Sequence, residues 1–245
     1  MNTMQPFVIS VIGAGGKTTA LRTLARALSD HRVLLTTTTH IYPIAPPESR
    51  ILLTVPSENA LLEALISPGI VCAGTAATEG KLGALPPALL AQAIRAADVT
   101  LCEADGAHHL PLKLHRPDEP VLPAGTSLCL IVAGLSALGR PVCETVHRYA
   151  RNPDWARTPR QAVGIEQVLY CVRAAVSATG LPRERLRVLL NQADTPALRE
   201  QALSIAHFLT DEGLDCRVGS LRDVPSFLSE WLLPASMVIP PSKKS

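Results

Sequence analysis

The sequence predicts an α/β fold, a doubly wound and mostly parallel sheet with helices on both faces, and three observations predict it. The first is a strand, a glycine loop and a helix in immediate succession between Phe7 and Ser29. The second is a set of short, continuous apolar runs, Ile70 to Ala73, Val99 to Cys102 and Leu128 to Val132, as expected of parallel strands covered on both faces. The third is the alternation of such runs with helical periodicity, which implies right-handed β-α-β crossovers. With 245 residues, 47% of them apolar, the chain can bury a sizeable core and is read as one domain over 1–245.

Taken in order, Phe7 to Ile12 is a strand and Lys17 to Ser29 a helix whose Leu21, Leu24, Ala25 and Leu28 share one face. Val33 to Thr37 and Ile51 to Val55 are strands. Ser57 is the N-cap of the next helix, with Ala60, Leu61, Ala64 and Leu65 as its buried stripe. Pro87 to Ala97 is an alanine-rich helix between apolar runs. A helix from Ile165 to Thr179, a strand from Leu186 to Leu190, a helix from Pro196 to Glu212 and a strand from Asp215 to Val218 follow. Between Pro141 and Arg160 the pairs Asn152-Pro153 and Thr158-Pro159 mark an irregular connection, expected as a mobile loop or lid over the site.

Composition narrows the function. The net charge is only +2, no long block of Lys or Arg occurs, and aromatic residues make up 3%. A nucleic-acid groove would want a basic stripe with stacking rings, so no nucleic-acid partner is expected. Lys243 and Lys244 read as a solvated tail. The six cysteines stand singly with no C-x-x-C pair and are expected as small buried hydrophobes in a reducing cytoplasm. His108-His109 with His115 reads as a polar surface turn rather than a metal site. Residues 1 to 7 lack the pattern of a signal peptide and no apolar run reaches spanning length, so no membrane association is expected.

The segment with the most chemistry is Gly13-Ala14-Gly15-Gly16-Lys17-Thr18-Thr19. Glycines let backbone N–H groups close around phosphate oxygens, Lys17 is expected as an exposed counter-charge to the terminal phosphates, and the Thr18 hydroxyl can ligate Mg²⁺. The helix that follows aims its N-terminal dipole at the same anion. The longer G-x-x-x-x-G-K-[ST] signature would need glycine where this chain has Val11. The shorter loop that remains resembles that of Mur-family ligases, which activate carboxylates with ATP. A P-loop NTPase-like fold follows, with its ligand beyond the C-terminal ends of the strands.

Four further segments sit at strand ends. Glu103-Ala104-Asp105 delivers two carboxylates to one side, with Asp105 the candidate for Mg²⁺ and Glu103 for water activation or metal support. In Thr36-Thr37-Thr38-Thr39-His40 the first two threonines read as structural, while Thr38 and Thr39 are candidates for a switch that senses phosphate. Asn191-Gln192-Ala193-Asp194 resembles the N-K-x-D base-reading segment of GTPases, with Gln192 in place of lysine, and hints at GTP. Alternatively, Asp194 or Thr195 caps the helix at Pro196. Gly134 to Pro141 and the pair His147-Arg148 allow either ligand approach and phosphate neutralisation or a surface turn with a salt bridge.

The ordered set of G-A-G-G-K-T-T, T-T-T-T-H, E-A-D-G-A with Pro111-Leu112-Lys113, G-L-S-A-L-G-R-P, His147-Arg148 and N-Q-A-D resembles the YqeC family from about residue 8 to 220. That resemblance implies an accessory role toward selenium-dependent molybdenum hydroxylases, so a molybdenum hydroxylase or its maturation machinery is the implied partner. The expectation is a Mg²⁺-dependent protein that binds ATP or GTP and hydrolyses it. The alternatives are an ATP-dependent ligase or kinase acting on a small molecule, and a nucleotide-gated chaperone with negligible turnover.

Overall fold

The computed structural model describes residues 6–224 and 226–237. The first half of the chain forms β1 (Phe7–Gly13), α1 (Lys17–Ala27), β2 (Arg32–Thr37), β3 (His40–Ile41), β4 (Ile51–Thr54), α2 (Glu58–Ala64), β5 (Gly69–Ala76), β6 (Leu82–Gly83), α3 (Pro87–Ala96) and β7 (Val99–Glu103). The second half forms β8 (Leu112–Lys113), β9 (Leu128–Gly134), α4 (Val142–Thr145), β10 (Val146–His147), α5 (Pro153–Arg157), α6 (Ile165–Thr179), β11 (Leu186–Asn191), α7 (Pro196–Asp211), β12 (Asp215–Val218) and α8 (Phe227–Leu232).

Among the described residues ten strands make one sheet in the order β12-β11-β9-β1-β7-β2-β5-β6-β3, with β4 also on β5. All pairings are parallel except β5 with β6 and β6 with β3. Successive side chains of a strand point to opposite faces. Accordingly Ile9 and Val11 enter a core with α1 and α8, whereas Val8 and Ile12 enter cores formed with α2, α3, α6 and α7. The fold is therefore mixed α/β, with helices on both faces of a mostly parallel sheet. From β1 the chain winds first toward β2 and, after β7, toward β9 on the other side, so the sheet reverses direction around β1. Ligands of such sheets bind at this point.

Several local expectations change. Leu61 of α2 and Leu65 at its C-cap are buried, but Ala60 is exposed. Ser57 does cap that helix, accepting from the Ala60 N–H at 3.3 Å. Residues 141–160, expected as an irregular connection, form α4, β10 and α5. Asn152 caps α5 by accepting from the Asp154 and Trp155 N–H groups, and the Trp155 side chain is buried in the core. Asn152-Pro153 starts α5, whereas Thr158-Pro159 marks the turn that ends it. Cys72, Cys102, Cys129 and Cys171 are buried as expected, with burial raising the Cys102 thiol to about 12, while Cys143 and Cys216 are only partly covered. Lys243 and Lys244 lie outside the described residues, as do residues 1–5. Among the described residues no helix is long and apolar enough to cross a membrane.

Candidate functional site

The glycine loop leaves β1 at Gly13 and enters α1 at Lys17. Gly13, Gly15 and Gly16 have φ of 91°, 83° and 137°, values side chains rarely adopt. Space is also missing, since a Cβ on Gly13 would lie 2.2 Å from the Val132 carbonyl oxygen and one on Gly15 2.4 Å from Gly134 Cα. The loop thus rests on the end of β9, fastened by the Ala14 N–H donating to Val132 O at 2.8 Å. Gly134 serves this close approach between backbones. No side chain caps α1, which leaves its first N–H groups as donors at the loop's mouth.

Lys17 is only 5% exposed, which corrects the expectation of a solvent-facing lysine. It folds back over the loop, donating to Gly13 O at 2.8 Å and lying 3.0 Å from Asp105 Oδ1 and 3.7 Å from Glu103 Oε1. Strand pairing explains this, because β7 runs beside β1 and delivers both carboxylates beneath the loop. Thr18 Oγ1 lies 3.4 Å from Glu103 Oε2 on the outer side, and Thr19 is exposed.

The two carboxylates differ in their surroundings. Asp105 is fully buried, and its Oδ2 accepts from the Gly13 N–H at 2.8 Å while facing His115 Nε2 at 2.7 Å and Lys113 Nζ at 3.0 Å. Burial alone would raise its pKa, but Lys17, His115 and Lys113 outweigh burial and hold it well below the usual carboxylate range. Burial pushes Glu103 up to about 7 against the opposing pull of Lys17, and the nearby Asp105 charge adds to the rise.

A chain of charges continues outward. Lys113 reaches Glu119 at 2.9 Å, and Glu119 accepts from both Arg148 Nη1 at 2.5 Å and Arg148 Nη2 at 3.0 Å. Arg148 therefore forms an ion pair with Glu119. His115, read as part of a surface turn, is buried against Asp105, whereas His108 and His109 are exposed. Sequence reasoning gave no role to Glu119, since Asp118-Glu119-Pro120 resembles any polar turn. His147 stands at the end of β10, pushed down to about 4 by burial and by the charges of Arg148 and His108.

The remaining candidates are spread along the same rim. Thr36 and Thr37 donate to Ala73 O at 2.8 Å and Glu103 O at 2.7 Å, a structural use. Thr38 Oγ1 donates to Val121 O at 2.5 Å, and the Thr39 N–H donates to Thr37 Oγ1 at 3.0 Å. His40 is exposed on β3. Asn191 braces the loop, donating to Gly15 O at 2.7 Å and accepting from the Leu221 N–H at 3.0 Å. Thr195 caps α7 by accepting from the Leu198 N–H, so the exposed Asp194 is not the cap.

Comparison with known proteins adds a family. The profile of the family described as YqeC protein matches residues 9–150. A relative from Escherichia coli (strain K12), named as the uncharacterized protein YqeC, is 38% identical over 178 residues, covering 69% of this chain and 68% of its own length.

Proposed function

Because the chain belongs to the YqeC family, we propose that its glycine loop binds and hydrolyses a nucleoside triphosphate with Mg²⁺. We place that activity in the cytoplasm, as an accessory to a selenium-dependent molybdenum hydroxylase or its cofactor. The observation that carries the nucleotide reading is Lys17, held 3.0 Å from Asp105 at the mouth of an uncapped helix where the sheet reverses direction. The partner assignment draws on the ordered motifs alone.

The donor set at Thr18 and Glu103 fits Mg²⁺, a hard cation that takes oxygen ligands. Asp105 fits less well, because Oδ2 already meets three donors and Oδ1 faces Lys17. We therefore move the metal role from Asp105 to Glu103 and Thr18. Bound Mg²⁺ would neutralise charge on the β- and γ-phosphates. Lys17 would turn from Gly13 O to the phosphates, and Asp105 would keep its charge balanced by Lys113 and His115. Phosphoryl transfer needs mainly positioning and electrostatic stabilisation, which a braced loop supplies.

Calorimetric titration with ATP and GTP, with and without Mg²⁺, tests the reading, together with release of free phosphate. Failure of both nucleotides to bind would remove it. A phosphorylated or ligated small molecule among the products would favour the ligase or kinase alternative, and nucleotide-dependent partner capture without turnover the chaperone. Asp194 is our candidate for the base, since a carboxylate can accept two N–H bonds from guanine. Asp194→Asn should weaken GTP binding by about tenfold or more and leave ATP nearly unchanged. A preference for ATP in the wild type would assign the base elsewhere.

A further inference from the structure

Beyond the charged floor of the loop lies a cluster that nucleotide binding does not use. The His108 and His147 rings have centroids 4.6 Å apart, the Tyr42 and His109 rings 6.0 Å apart, and Lys81 Nζ lies 5.0 Å above the Tyr42 ring. Rings are scarce in this chain, which has three Phe, three Tyr and two Trp. Yet of its seven histidines, His40, His108, His109, His115 and His147 all stand at this end of the sheet.

The backbone there is held in an unfavourable form. His108, His109 and Arg148 have φ of 49°, 62° and 61°, the left-handed region that costs a side-chain-bearing residue free energy. Such strain persists only where surrounding contacts enforce it, and it gathers at ligand sites. His147 Nε2 is buried and lacks a hydrogen-bond partner among the described residues, so it offers a polar contact that the protein does not fill. Two cations adjoin the rings, Lys81 over Tyr42 and Arg148 next to His147 in sequence; each is ion-paired, with Glu79 and Glu119, and keeps N–H donors beyond those that the carboxylates use.

From this placement we infer that the rim of His108, His109, His147, Arg148, Tyr42 and Lys81 binds a second small molecule, an anion carrying a planar ring. The rings supply stacking surface and the cations supply counter-charge. Asp105, which meets Lys17 at 3.0 Å, precedes His108 by three residues, so the chain itself links the rim to the loop. The inferred binding stands apart from the nucleotide reading.

The test is calorimetry on the full chain with three probes, with and without a saturating non-hydrolysable ATP analogue and Mg²⁺. 2-Naphthoate carries both ring and charge, cyclohexanecarboxylate keeps the charge without the planar ring, and 2-naphthol keeps the ring uncharged at neutral pH. The expected result is that 2-naphthoate binds at least about tenfold more tightly than either control. His108→Asn and Tyr42→Leu should each weaken it by roughly three- to tenfold, the size of a lost ring contact. Asparagine tolerates left-handed backbone, so the first variant keeps the fold. Equal binding of all three probes, or no change in either variant, overturns the inference. Titration of a fluorescent nucleotide into the same samples separates the two readings. Loss of nucleotide binding with 2-naphthoate discrimination intact removes only the hydrolase, and the reverse removes only the rim site.

Discussion

The floor of the glycine loop and its outer wall are two residues apart in sequence and opposite in chemistry. On the floor, Asp105 meets a backbone N–H, a histidine and two lysines and stays ionised. On the wall, Glu103 is nearly as deeply buried but meets only Lys17 at 3.7 Å and Thr18 at 3.4 Å, and burial raises it to about 7. The number and distance of donors, rather than depth, decide ionisation here. The comparison teaches a division of labour: a carboxylate held by three donors on one oxygen and a lysine charge on the other builds the loop, and one with fewer and more distant partners meets the ligand.

Asp105→Asn is the strongest way to break this comparison. Removing the charge leaves Lys17 and Lys113 buried with fewer partners, and unpairing a buried ion typically costs about 3–5 kcal/mol. Denaturant unfolding should show a loss near the lower end of that range, since Glu103 and Glu119 still face the two lysines. A loss below about 1 kcal/mol would mean that Asp105 is free for other work, the metal included.

Lys17→Ala comes next. Loss of the loop's counter-charge should weaken triphosphate binding by roughly a hundredfold, about 2.7 kcal/mol. Stability should fall less than in Asp105→Asn, because Asp105 keeps Lys113, His115 and the Gly13 N–H. Unchanged affinity for ATP and GTP would end the phosphate-loop reading.

Glu103→Gln sharpens the contrast from the other side. An amide removes a charge that burial already disfavours, so stability should move by about 1 kcal/mol or less. Mg²⁺-dependent turnover should nevertheless drop by at least about tenfold, while Mg²⁺-free binding holds. If Asp105→Asn spared stability and abolished the Mg²⁺ dependence instead, the two roles would be exchanged.

Much of this was legible in the sequence because it depends on local chemistry. Apolar runs marked β1, β5, β7 and β9, and glycine followed by Lys-Thr placed the loop, since each pattern has one dominant physical cause. The two-residue step from Glu103 to Asp105 was visible too. What could not be read was which carboxylate would gather more partners, because Lys113 and His115 return through a loop whose path has no periodic signal. The same holds for Arg148, which reaches Glu119 only because β10 pairs with β8. The short helices of residues 141–160 were hidden by their prolines, which signal helix starts and irregular turns alike.

A test that reads pH rather than a single value concerns Glu119, the outermost member of the floor. Burial alone would raise its pKa, but hydrogen bonds from Arg148 and Lys113 outweigh that and hold it near 2, against 4.5 for an ordinary glutamate. Between those values the unfolded chain binds a proton that the folded protein refuses, so stability falls as pH falls. The contribution is fully present above about 4.5 and is lost as pH drops toward about 2. Glu119→Gln removes this dependence. Unfolding midpoints of the wild type and the variant, measured from pH 6 downward, should converge through that window. Using the difference between the two proteins cancels the other titrating groups they share. A gap that stays constant with pH would show that Glu119 acts through packing or neutral hydrogen bonds, and that the floor's charge chain ends at Lys113.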